Sequence, residues 1–144
     1  MLYLDTSALV KLIRRETESD ALADWLDARF SQPWVSSTLI EVELPRALRP
    51  TEPGLLPDVP GLIARIARYE IDDVVRAAAA AYPDPTLRSL DAIHLATARA
   101  VFGTQLRTFV TYDELQRAAA HDLGLPVENP GRRRRRPTGG GPSP

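Results

Sequence analysis

Met1-Leu2-Tyr3-Leu4-Asp5-Thr6-Ser7-Ala8-Leu9-Val10 begins as an apolar run, meets an acid at position 5 and resumes as a helix-forming segment. The run is short enough for a buried strand, and the resumption has helical spacing, so Asp5 is placed at the carboxyl end of a first strand. In an open parallel sheet that edge is where ligands bind. The rest of the chain repeats the pattern. A helix is expected at about 7–14 and another over Thr17 to Phe30, where Leu22, Trp25, Leu26 and Phe30 recur at helical spacing. Trp34-Val35-Ser36 reads as a second strand. Thr38-Leu39-Ile40-Glu41 reads as a helix start with a capping box, and that helix should run to about Leu48.

Pro50, Pro53, Pro57 and Pro60 mark a loop. Helices are expected over 61–68 and 72–82, separated by a brief strand at Tyr69-Glu70-Ile71. Pro83-Asp84-Pro85 stops the second of them. Ser89 should cap a helix through about Val101, Thr108 to Tyr112 is a β-branched and aromatic strand, and Glu114 to Leu123 is a last helix ended by Gly124. Val127 fits a final edge strand. Strands alternating with helices of these lengths predict an α/β fold with a mainly parallel sheet. Residues 1–130 form one domain on this reading. The Arg-, Gly- and Pro-rich stretch 131–144, with almost nothing apolar, is expected to be a disordered tail.

A chain of 144 residues can bury a substantial core without staples, and it has no cysteine, which excludes disulfides, thiolate chemistry and cysteine-based zinc sites. The start lacks the basic and apolar regions of a signal peptide, and no apolar run approaches ~18 residues, so a cytoplasmic location away from membranes is expected. The 18 basic and 19 acidic residues are unevenly placed. Arg132 to Arg136 hold five of the bases; without residues 132–144 the balance is 13 against 19, a net of −6. An acidic body binds polyanions poorly by itself, because that affinity comes largely from Lys and Arg. The basic run either draws nucleic acid by counterion release or is a solvated extension.

Four acids then stand out: Asp5, Glu43, Asp91 and Asp113, each where a strand ends or a helix begins. Taken singly, each has a structural reading. Asp5 and Asp113 suit N-caps, Asp91 sits in a first helical turn favoured by the dipole, and Glu43 can pair with Arg46. Two features favour chemistry. Asp91 shares its stripe with Leu95 and Ala98, and Glu43 lies between Leu39 and Ala47, so both face the core side, where a carboxylate needs a partner. Glu41 is assigned instead to the capping box with Thr38. Carboxylates gathered at one sheet edge repel by roughly 4 kcal/mol per pair at about 4 Å and an effective dielectric near 20. A divalent cation with a taste for oxygen, Mg²⁺ or possible Mn²⁺, is the natural compensation, and phosphodiester hydrolysis is the reaction such a site serves. His94 and His121, far apart and without other nitrogen or sulfur ligands, are read as ordinary surface or packed histidines.

The segments Leu4-Asp5-Thr6-Ser7-Ala8-Leu9, Val42-Glu43-Leu44-Pro45-Arg46-Ala47-Leu48, Leu87 to Ala98 and Val110-Thr111-Tyr112-Asp113-Glu114-Leu115 together resemble the PIN-domain ribonucleases of the VapC toxin type. The Leu90-Asp91-Ala92-Ile93-His94-Leu95-Ala96-Thr97-Ala98 stretch is the most specific, and the resemblance spans residues 1 to about 130. It implies a three-layer PIN-like sandwich with a central, mostly parallel sheet of four or five strands flanked by helices. It further implies an Mg²⁺- or Mn²⁺-dependent endoribonuclease, silenced by a small VapB-like antitoxin and assembling as a homodimer. Asp5 and Asp91 would be the principal metal ligands, Glu43 and Asp113 would complete the quartet, and Ser7 and Thr111 would orient a carboxylate or water. Pro45 departs from an ideal helix and is expected to kink it near Glu43, at a cost of roughly 3 kcal/mol.

Competing readings are a catalytically degenerate PIN domain kept for protein binding and a DNA-directed nuclease of related fold. A haloacid-dehalogenase-like phosphatase needs a second acid where Ser7 stands. A receiver domain needs a lysine near its last strand, and Lys11 is the sole lysine.

Overall fold

The computed structural model describes residues 1–132. Five parallel strands run β1 (Leu2–Leu4), β2 (Trp34–Ser37), β3 (Ala67–Tyr69), β4 (Thr108–Val110) and β5 (Val127–Glu128). Their order across the sheet is β3-β2-β1-β4-β5, so the first strand is the centre and both neighbours arrive later in the chain. Tyr3 registers with Val35 on one side and with Phe109 on the other.

The strand period of two separates two cores. Leu2, Leu4 and Val110 pack beneath α1 (Thr6–Ile13), α2 (Ser19–Asp27), α3 (Ile40–Leu48) and α4 (Val59–Ile63). Tyr3, Val35 and Phe109 face the opposite layer, where α6 (Ser89–Ala96) and α7 (Glu114–Asp122) contribute Leu95, Ala119 and Ala120. The Tyr3 and Phe109 rings stack at 5.0 Å. A further helix, α5 (Asp73–Ala80), packs against α6. The result is the three-layer α/β sandwich expected.

Several local expectations need correction. The Thr38–Glu41 capping box does not form: α3 starts at Ile40, Leu39 offers no side-chain cap, and the Ser37 hydroxyl takes the Leu39 N–H at 3.2 Å. Glu41 instead accepts from Arg68 Nε at 2.6 Å, across to β3. Arg88, not Ser89, occupies the N-cap of α6. Beyond Ala96 that helix widens into a π-helical turn, Thr97–Phe102, ending at Gly103 with φ +48°. The helix expected over 61–68 is the short α4, shifted toward the N-terminus, the proline-rich loop before it holds a 3₁₀ turn, Pro53–Asp58, and the strand expected at 69–71 lies at Ala67–Tyr69. Pro45 sits inside α3, which continues to Leu48, so only the Glu41 carbonyl loses its in-helix donor.

Most of the tail lies outside the described residues. Its first two residues are held in place. Gly131 has φ +83°, and a Cβ there would come within 2.7 Å of Ala21 Cβ. Arg132 then donates to the Tyr112 carbonyl at 2.8 Å and pairs with Glu114 at 2.8 Å. Among the described residues no helix is long and apolar enough to cross a membrane.

Candidate active site

The strand order reverses direction on either side of β1, which opens a crevice above its carboxyl end. The four acids come to that crevice from four elements: Asp5 after β1, Glu43 on α3, Asp91 on α6 and Asp113 after β4. They line one cleft of about 410 Å³, room for a hydrated ion beside a phosphate at about 30 Å³ per water.

Capping does not exhaust these side chains, because each carboxylate has two oxygens. Asp5 Oδ1 accepts the Ala8 N–H at 2.9 Å and so caps α1, while Oδ2 accepts the Thr111 hydroxyl at 2.6 Å. Ser7 Oγ donates to the same carboxylate at 2.7 Å. Asp5 is only 2 % exposed. Burial pushes its carboxyl above the ordinary value, although the Thr111 and Ser7 hydroxyls and the Ala8 N–H pull the other way. Asp113 divides its oxygens likewise: Oδ1 accepts the Gln116 N–H at 2.9 Å and caps α7, and Oδ2 meets Arg88 at 2.8 Å.

Glu43 is bound by Thr6 Oγ1 and His94 Nε2, both at 2.6 Å from Oε2. The alternative pair with Arg46 is not what holds it. Burial opposes its ionisation, but the His94 and Thr6 bonds and the nearby Arg88 charge outweigh that and hold the carboxyl below its usual range. Asp91, with its side chain 13 % exposed, accepts from Arg88 Nε at 2.6 Å. Its stripe mates Leu95 and Ala98 are buried, as the helical spacing requires.

Besides Thr6, two residues in this network escaped the sequence reading. His94 is not an ordinary histidine. It is buried, gives its Nε2 proton to Glu43 and shares a hydrogen bond between Nδ1 and the Tyr3 hydroxyl at 2.8 Å. The direction at Nε2 follows from the partner, because a carboxylate can only accept. The signal was present, since His94 lies three residues after Asp91 on the buried stripe.

Gln116 is the other, 1 % exposed on the apolar stripe with Ala119 and Ala120. Thr111 Oγ1 stands 2.6 Å from Asp5 Oδ2 and 3.1 Å from Gln116 Oε1, yet a hydroxyl has one proton. The carboxylate takes it. Turning the Gln116 amide over presents Nε2, otherwise an orphaned donor, to the Thr111 oxygen and locks that hydroxyl toward Asp5.

Among the described residues no group of three or more acids or histidines is closed up for a metal ion. The reason is visible: Asp5 is satisfied by hydroxyls, Glu43 by His94, and Asp91 and Asp113 by one guanidinium. The donor set is nonetheless four hard carboxylates around a single cleft, and Arg88 stands in for a cation between two of them, so the residues fit an oxygen-seeking divalent ion. Glu41 lies outside this set. Glu41→Gln is expected to leave turnover in the cleft unchanged and to lower stability by less than about 1 kcal/mol, through its partly exposed pair with Arg68. Turnover and a urea titration check both.

Known proteins resemble this chain over most of its length. The family model described as PIN domain matches residues 2–122. The chain is 58% identical over 135 residues to Ribonuclease VapC35 of Mycobacterium tuberculosis, covering 93% of this chain and 100% of that protein. It is 41% identical over 129 residues to Ribonuclease VapC46 of the same species, covering 90% and 97%. Among solved structures, VapBC2 from Rickettsia felis bound to a DNA fragment from its promoter matches with a TM-score of 0.63 at 15% identity, covering 90% of this chain and 98% of that one. That last likeness concerns the fold alone.

Proposed function

This chain belongs to the PIN-domain family, among its VapC ribonucleases, and from that premise we propose that it is a metal-dependent endoribonuclease, the toxin of a toxin–antitoxin pair. The observation that carries the reading is the convergence of Asp5, Glu43, Asp91 and Asp113 on one cleft at the carboxyl edge of β1 and β4. Mg²⁺, or Mn²⁺ in its place, would be held by Asp5 and Asp91 with Asp113 and Glu43, and when bound it supplies an activated water and charge stabilisation at the phosphate. The protein's own groups prepare the cleft. Thr111 and Ser7 orient Asp5, His94 and Thr6 orient Glu43, and Gln116 fixes Thr111. Such outer contacts are typically worth 10- to 100-fold in metal affinity or activity.

The partners in this proposal are an RNA substrate and a VapB-like antitoxin, and the toxin acts in the cytoplasm. A homodimer would pool two acidic clefts across a two-fold axis. Cleavage of total cellular RNA by purified, antitoxin-free protein tests the reading, with Mg²⁺, Mn²⁺ or chelator, beside Asp5→Asn and beside a single-stranded DNA of matched sequence. Metal-dependent cuts in RNA that vanish in the variant are expected. Cuts confined to DNA would point to the DNA-directed nuclease, and folded protein that cuts neither would point to a binding domain.

A further inference from the structure

Resting on the metal-dependent reading, we propose that Arg88 changes partners during the working cycle: it is the counter-cation of Asp91 and Asp113 in the metal-free cleft and the ligand of an RNA phosphate once a divalent cation has taken those two acids. Arg88 reaches from the N-cap of α6 to a carboxylate on its own helix at 2.6 Å and to one beyond β4 at 2.8 Å. Both acids belong to the quartet. A guanidinium and a divalent cation therefore compete for the same oxygens, and binding of one requires release by the other.

The other two bases of the cleft are committed elsewhere. Lys11 sits between Glu16 at 2.6 Å and Glu18 at 2.8 Å, and Arg14 pairs with Glu16 at 2.6 Å. Neither of these acids is in the quartet, so metal loading leaves those pairs intact. Arg88 alone among the three is freed by it. Its side chain is 61 % exposed, so it turns outward without unpacking a core. The charge balance points the same way. The cleft lining carries five acidic side chains against three basic ones besides His94, an acidic surplus that repels a polyanion and that a divalent ion offsets. A planar guanidinium fork then matches two phosphate oxygens. Loading of the metal and capture of RNA are thus linked through one side chain.

The test is calorimetric titration of Mn²⁺ into the metal-free protein, compared with Arg88→Ala and Arg88→Lys, with KM and its salt dependence measured on a short RNA. Arg88→Ala is expected to bind Mn²⁺ about five-fold tighter, as follows from releasing one or two partly exposed ion pairs. Its KM should rise about ten-fold, and the slope of log affinity against log salt should shrink by about 0.7, one phosphate contact on a single strand. Arg88→Lys, which keeps the charge and loses the fork, should bind Mn²⁺ nearly as wild type while sharing the raised KM. A thermal melt of each variant establishes folding, and Arg88→Lys decides the matter if Arg88→Ala is unfolded. Unchanged or weaker Mn²⁺ binding in Arg88→Ala overturns the competition, and an unchanged KM and salt slope overturns the phosphate role. Absence of Mn²⁺ binding in all three proteins would instead sink the metal-dependent reading beneath it.

Discussion

Asp5→Asn is expected to abolish RNA cleavage, a loss of about 10³-fold on the scale of removing a principal electrostatic group from an active site, and to leave the protein folded. The second half of that expectation comes from the hydrogen bonds. An asparagine Oδ1 can still accept the Ala8 N–H and cap α1, a position where Asn and Asp are equivalent. Its Nδ2 then faces Thr111 Oγ1, which must stop donating to position 5. The Gln116 amide, turned back so that Oε1 faces Thr111 at 3.1 Å, receives the displaced proton, and the network reverses direction without losing a bond.

The stability of the metal-free proteins should diverge with pH in a defined sense. Burial raises the Asp5 carboxyl above its ordinary value, so its contribution is fully present below the unfolded value near about 4 and is lost as pH rises through the higher folded value. Asparagine has no such dependence. Relative to wild type, Asp5→Asn therefore gains thermal stability as pH rises across that window. A difference that stays flat, measured by melting at several pH values, would show that folding does not shift the Asp5 carboxyl, and surviving cleavage would remove it from the active site. Asp5→Ala should behave worse, losing the cap at about 1–2 kcal/mol.

His94→Ala carries the second large effect, on stability and activity together. It leaves the Tyr3 hydroxyl, wholly buried at the sheet centre, without its 2.8 Å partner, at a cost of about 1–3 kcal/mol, and opens a cavity beside Leu95. The sum is about 3 kcal/mol, or roughly 10 °C in melting temperature for a domain of this size. Glu43 loses the donor that orients it, so turnover falls about 10- to 100-fold at a temperature where the variant is folded. Adding Tyr3→Phe should recover part of the stability and none of the turnover, because the orphaned hydroxyl goes while Glu43 stays unheld. Strictly additive losses in the double variant would mean that the Tyr3–His94 bond contributes nothing.

The sequence carried the architecture and the quartet because both depend on period and position. Leu2-Tyr3-Leu4 alternates between two cores, and Asp5 and Asp113 fall where strands hand over to helices, so their location is dictated by connectivity. What it hid depends on pairing at long range. Gln116 gains its meaning only from Thr111 and, through it, from Asp5, 106 residues away. The sequence offers Arg88 only as one of a few basic side chains, with Lys11 and Arg14, that could meet RNA; its tie to Asp113 appears when β4 brings that acid within reach. The capping box failed for the opposite reason: Thr38 and Glu41 have the right spacing, but the Thr38 N–H is bound to the Tyr69 carbonyl and Glu41 finds Arg68, so β3 outbids the local motif.

The central position of β1 also bears on how such a protein is made. Its strand neighbour β4, with Thr111 and Asp113 just beyond, is translated roughly 5–20 s after Asp5 at ordinary elongation rates of about 5–20 residues per second. Until then β1 has one side unpaired, Asp5 lacks its Thr111 partner, and the cleft lacks Asp113 and the wall that β4 supplies. On the proposed function, a growing chain on the ribosome, surrounded by RNA, would not yet have a complete cleft, and one terminated before Asp113 would never form it.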